Sequence, residues 1–153
     1  MSENEQQFAV QRLYIKDVSF ESPQGVAIFA KKWAPEIKVD LGSKNTKVAD
    51  DQYEVVLSVT ITAKVEGEVA FLIEVQQAGL FLVKGLDEEQ LRRALGIMCP
   101  NLLFPYVREA IDSLAVKGGF PAIGLQPVNF EALYVQAMQR AQEQGEAAPA
   151  DTH

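Results

Sequence analysis

The chain has 153 residues and is acidic, with 21 Asp and Glu against 14 Lys and Arg and a formal charge of −7. That field repels nucleic acid and anionic lipid and favours basic partners. Hydrophobic residues make up 48% of the chain, enough for the core of one domain, and a single cysteine, Cys99, rules out an internal disulfide and suits a reducing compartment.

The first residues, MSENEQQFAV, are polar and acidic and lack the basic start and apolar run of a signal peptide. No apolar stretch reaches the roughly 18 residues of a membrane span. A cytoplasmic protein without membrane insertion is expected. Residues 1–6 read as a disordered start, 7–142 as one domain, and the small, acidic residues 143–153 as a disordered tail.

FAVQRLYIKDVSFE reads as a strand. Strict alternation puts Phe8, Val10, Arg12, Tyr14, Lys16, Val18 and Phe20 on one face and Leu13, Ile15 and Asp17 on the other. Neither face is cleanly polar, which predicts a strand covered on both sides or lying at an interface. Residues 22–35 are bounded by prolines and read as a crossing loop, unusually greasy with Val26, Ile28, Phe29 and Trp33. EIKVDLG alternates as a half-buried strand, and SKNTKVADD reads as a polar turn. In QYEVVLSVTITAKVE, Tyr53, Val55, Leu57, Val59, Ile61, Ala63 and Val65 share a face. Gly67 then marks a tight hairpin turn.

The next strand, AFLIEVQQAGLFLV, carries Glu74 among apolar residues. A buried, unpaired carboxylate there costs several kcal/mol. Alternation settles its direction. Phe71, Ile73, Val75 and Gln77 face the core, while Leu72, Glu74 and Gln76 face away.

GLDEEQL is a helix start, with Asp87 and Gln90 as a capping box and Leu86 and Leu91 as its hydrophobic staple. The helix is expected to run to about Lys117, kinked or opened by Pro100 and Pro105. Its apolar residues fall on two sides, and one small sheet can cover only one of them. A second greasy loop, 118–127, holds Phe120, Ile123 and Leu125, and Asn129 caps a last helix with an apolar stripe. Four strands followed by two helices predict an α+β fold, with a four-stranded antiparallel sheet and the helices on one face.

Catalytic chemistry is scarce. His153 is the only histidine and lies at the chain end, which removes triads and zinc–histidine sites. There is no phosphate-binding loop, and Asp50-Asp51 read as a turn. No enzyme activity, cofactor or metal is expected. A small-molecule binder using the aromatic loops as a pocket is the reading from another class, and the lack of convergent polar groups argues against it. The outward set Asp17, Glu21, Leu72 and Glu74 suits docking to a basic partner.

The stretches YIKDVSFESP, KKWAPEIKVDL, ADDQYEVVLSVTITA, AFLIEVQQAGLF, LGIMCPNLLFPYVREAI and FPAIGLQPVNFEALY, in that order, resemble the SecB family of bacterial export chaperones over about residues 8 to 142. The resemblance implies a crossing connection after the first strand and a homotetramer built as a dimer of dimers. It implies that unfolded precursor proteins are held without ATP and delivered to the SecA motor. SecA docking then falls to Asp17, Glu21, Leu72 and Glu74. The client groove falls to the two loops, at Val26, Ile28, Phe29, Trp33, Phe120, Ile123 and Leu125. Ile73, Val75 and Gln77 match residues that support the tetramer, with Ile73 standing where some members carry Cys. A SecB-like chaperone dedicated to one partner, such as an antitoxin, is the rival reading, and the presence of the docking set argues for general export.

Overall fold

In the computed structural model, which describes residues 5–147 and the side chains of residues 5–144, the centre is a hairpin of β3 (Gln52–Val65) and β4 (Glu68–Lys84). Glu66 at φ 51° and Gly67 at φ 82° turn the chain between them. Two left-handed residues match the twist of the flanking strands, and glycine takes the more extreme angle without a Cβ penalty. β1 (Gln7–Glu21) pairs on the far side of β4 and β2 (Glu36–Ala49) on the far side of β3, giving the antiparallel order β1-β4-β3-β2. Residues 22–35 therefore join the two edge strands. They are not loop throughout, because Gly25–Ala30 winds into a 3-10 turn anchored by buried Ile28.

The face assignment of β1 needs correction. Its register against β4 shifts between Val10 and Arg12 and again between Ile15 and Asp17. Each bulge inserts one residue and resets the alternation. Phe8, Val10, Leu13, Ile15, Val18 and Phe20 all oppose core-facing positions of β4, whereas Arg12, Tyr14, Asp17, Ser19 and Glu21 oppose outward ones. The strand that looked apolar on both faces is apolar on one. Phe8 and Phe20 pack on the core, but Val10, Leu13, Ile15 and Val18 remain exposed beyond the helices.

β2 also differs from expectation. Residues 43–49 continue the strand, pairing from Ser43 with Leu57 to Ala49 with Gln52. The β3 ladder supplies their hydrogen bonds, so local polarity does not end the strand. Lys44 and Lys47 suit an exposed edge. The turn is confined to Asp50 and Asp51, the latter at φ 60°.

The capping box forms as expected. Gln90 N–H donates to Asp87 Oδ1 at 2.8 Å and Asp87 N–H to Gln90 Oε1 at 3.2 Å, opening α1 (Glu88–Arg93). A π-turn, Ala94–Met98, separates it from α2 (Cys99–Lys117), and Cys99 N–H donates to the Ala94 carbonyl. Pro100 has no N–H for the next bond, and the widened turn falls just ahead of it. Pro105 lies inside α2 without breaking it. α2 lies over β4 and β3, burying Leu103, Val107, Ile111 and Ala115. Leu102 and Tyr106 on its other side, and Met98 at the end of the π-turn, are exposed.

Asn129 Oδ1 accepts the Ala132 N–H at 2.9 Å and caps α3 (Phe130–Ala147). That helix runs five residues past the expected domain end at 142, through helix-favouring Glu and Gln. Residues 148–153 of the expected tail, and 1–4 of the expected disordered start, lie outside the described residues. α3 rests on the π-turn. Gly96 permits this, since a Cβ there would come within 2.7 Å of the Tyr134 ring.

Candidate functional site

Functional candidates lie on both faces of the sheet. On the face away from the helices, Glu21 pairs directly with Leu72, Ser19 with Glu74, and Asp17 with Gln76. Asp17, Glu21, Leu72 and Glu74 thus come together on two adjacent strands. The carboxylates are exposed, and Leu72 is half-buried between them. None of the three carboxylates takes part in an ion pair among the described residues. Like charges on neighbouring strands repel, so the cluster is set to gain from an incoming cation.

A fourth carboxylate on this face is treated differently. Glu54 on β3 accepts the Tyr14 hydroxyl at 2.6 Å and the Lys16 ammonium at 3.2 Å, spanning β4 between them. The Tyr14 hydrogen bond, helped by Lys16, holds the Glu54 carboxyl below its ordinary range. Burial, then the hydrogen bond and charge of Glu54, push Tyr14 up to about 12. Sequence reading missed this clasp, because β1 reaches β3 only across an intervening strand.

On the helix side, the two greasy loops meet. The Phe120 ring lies 4.9 Å from Phe71, 5.2 Å from Trp33, 5.3 Å from Phe29 and 6.5 Å from Phe20. The seven proposed groove residues are not equivalent. Val26 is 84% and Phe29 54% exposed, and Trp33 and Ile123 are half-buried. Ile28, Phe120 and Leu125 are buried. These three belong to the core rather than to an open surface, and Phe120 is the ring on which Phe20, Phe29, Trp33 and Phe71 pack.

The apolar surface also extends beyond the loops. Ile37 and Val39 on β2 point to the helix side yet stay exposed, since no helix covers that edge. Past them, a cleft of about 700 Å³ opens between β2, the π-turn and α3, lined by Leu41, Tyr53, Leu95, Phe130, Leu133 and Met138 among others. The alternation of EIKVDLG and the stripe of the last helix held this signal. Only the topology shows that the two surfaces face each other.

Ile73, Val75 and Gln77 are buried beneath α2 and cannot make direct contacts outside the protomer. Gln77, the one buried polar residue of the described chain, donates from Nε2 to the Tyr14 carbonyl at 3.2 Å, beside the second β1 bulge. Cys99 is fully buried, and burial pushes its thiol up to about 12, which leaves it an inert core residue. Among the described residues no group of His, Cys, Asp and Glu could hold a metal ion, and no helix is long and apolar enough to cross a membrane.

The family described as preprotein translocase subunit SecB matches residues 1–141. The protein-export protein SecB of Hahella chejuensis is 58% identical over 94% of this chain and 90% of its own length. That of Marinobacter nauticus is 51% identical over 99% of this chain and 93% of its own. Among solved structures, a Mycobacterium tuberculosis SecB-like chaperone in complex with a ChAD peptide from the HigA1 antitoxin superposes with a TM-score of 0.62. It is 19% identical, over 79% of this chain and 90% of that one, and so speaks to the fold. A family match over almost the entire chain and relatives more than half identical to it agree with the strand order and helix placement, and the chain belongs to the SecB family.

Proposed function

We propose that this chain is an ATP-independent cytoplasmic chaperone of protein export. It binds unfolded precursor proteins along the helix-side channel and delivers them to SecA through the opposite face of the sheet. The supporting observation is that one sheet carries an acidic cluster without ion pairs on one face and exposed apolar side chains, Val26, Phe29, Ile37 and Val39, on the other side. Nothing in this scheme calls for catalysis, a cofactor or a metal. The channel starts at Val26, Phe29, Trp33 and Ile123, over a floor of Ile28, Phe120 and Leu125. It continues past Ile37 and Val39 to the α3 cleft. Asp17, Glu21 and Glu74 around Leu72 make the SecA-docking set.

The working unit is a homotetramer, a dimer of dimers. The exposed Leu13, Ile15 and Val18 of β1 supply one interface, strand to strand. Leu102 and Tyr106 of α2, with Met98 just before it, supply the other, helix to helix. Ile73, Val75 and Gln77 support assembly from beneath, by keeping α2 and β1 in place. Each client contact is weak, because ordering an unfolded segment opposes it. Four channels on one particle raise avidity by about 10²–10⁴ for a chain long enough to occupy several. A client that folds hides its apolar segments and leaves.

The test immobilises the protein and adds an unfolded precursor and SecA, separately and together. Simultaneous binding of both is expected, with SecA binding weakened by salt and precursor binding much less so. Mutual exclusion of the two at low salt, or failure to retain the precursor, counts against the proposal.

A further inference from the structure

The segment between α2 and α3 carries Phe120, Ile123 and Leu125, yet residues 121–129 form no regular element. A wall without ladder or helix bonds needs other support. Its start is held by the end of α2, where Phe120 N–H donates to the Ala115 carbonyl at 2.9 Å and Gly119 N–H to that of Val116 at 3.0 Å. Further on, the amides of Ile123 and Gly124 both donate to one atom, Oδ1 of Asp112, at 2.9 and 3.0 Å. Gly124 lies at φ 65°, and a left-handed residue turns successive amides to one side, making a small anion-binding concavity. The anion here is the chain's own. Asp112 lies on α2 one turn before Ala115, so both anchors of the segment sit on the same stretch of helix.

We infer that Asp112 is a positioning residue for the apolar channel, a reading that rests on the function proposed above. It holds Ile123, and the turn behind it, in the arrangement that receives a client, and it does so without touching the client. Charge-assisted hydrogen bonds are stronger than neutral ones, and two on one oxygen fix the turn in place. A wall fixed beforehand does not lose its freedom again at every binding event. Phe29 and Trp33 face the Phe120 ring on the same segment, so loosening it also disturbs the opposite wall.

The test uses the full chain and, as probe, a reduced and carboxymethylated secretory protein that cannot refold. Asp112→Ala removes the acceptor, and Asp112→Asn keeps an oxygen acceptor while losing the charge. Gly124→Ala leaves Asp112 intact and strains the left-handed turn, in open space where a Cβ meets nothing within 4 Å. Asp112→Ala is expected to bind the probe about three- to tenfold more weakly, and Gly124→Ala to move the same way. Asp112→Asn should recover most of the affinity. Emission from Trp33, the only tryptophan, should shift to the red in Asp112→Ala and return in Asp112→Asn. Wild-type affinity in both Asp112→Ala and Gly124→Ala overturns the inference, as does a loss that only follows the folded fraction seen by circular dichroism. Phe29→Ala, measured alongside, separates the two claims. If it binds the probe like wild type, the channel reading fails; if it loses affinity while Asp112→Ala does not, only the role of Asp112 fails.

Discussion

Glu74 and Val75 are neighbours in sequence and opposites in environment. Val75 is 1% exposed beneath α2, while Glu74 stands in solvent on the other face. Phe71 and Leu72 repeat the contrast, with the ring in the aromatic cluster and the Leu in the acidic patch. A strand with a period of two therefore carries two surfaces at once, one sheet thickness apart. Because the residues alternate, a substitution on one surface leaves the side chains of the other in place. The two faces can therefore be altered separately by mutation despite sharing a backbone.

The sharpest break is Val75→Arg. It drives a charge into a fully buried apolar site, and a loss of about 4 kcal/mol or more is expected, with dispersal of the proposed tetramer. Chemical denaturation and light scattering check this, and a variant with wild-type stability would show that the β4–α2 packing has been misread. Phe120→Ala comes next, at about 3–5 kcal/mol, because it empties the centre of a cluster of five rings that includes Phe71, Phe20, Phe29 and Trp33. Its effect on clients is therefore mixed with unfolding, so it cannot be paired with Phe29→Ala as a clean test of the channel.

The Tyr14–Glu54 clasp should contribute about 1 kcal/mol, with a defined pH dependence. Glu54 titrates below its ordinary value when folded, so its contribution is present above the ordinary carboxylate range and lost as pH falls through the lowered value. Tyr14, raised to about 12, contributes fully below about 10, its unfolded value, and loses that contribution as pH rises through about 12. Between pH 5 and 9 the clasp should be constant. Tyr14 should form phenolate late in a titration followed by ultraviolet absorbance, and Glu54→Gln should make it form earlier. Unchanged titration in that variant would remove the clasp. The smallest stability change belongs to Glu74→Gln, within about 0.5 kcal/mol. SecA binding should weaken and become less salt-sensitive, while client binding stays as it was. A variant that lost the client and kept SecA would reverse the two surfaces.

β3 and β4 were legible because a central strand with one covered face must alternate, and Tyr53 to Val65 do so without interruption. The helix caps were legible because Asp87 and Asn129 act on residues three positions away. β1 was not, because its bulges fall at Gln11 and Lys16, residue types that carry no signature for an inserted position. The second half of β2 was missed because an exposed edge strand needs no apolar face, and its partner lies beyond a turn. Of the candidate site, alternation along β4 was enough to turn Leu72 and Glu74 away from the helices, and the register brings Asp17 and Glu21 beside them. The two greasy loops were legible one by one, but the exposure of Ile37 and Val39 and the cleft beside α3 depend on contacts far apart in sequence.

The two bulges in β1 bear on a hazard particular to this kind of protein. A molecule that handles unfolded chains brings sticky extended segments to its own surface, and an unprotected edge strand is a template on which such segments can stack into fibrils. With its ladder broken after Val10 and after Ile15, β1 offers a flat visitor only short runs of matched bonds. Bulges twist an edge away from flat pairing, so β1 is a poorer template for a visiting strand than a regular edge of the same length would be.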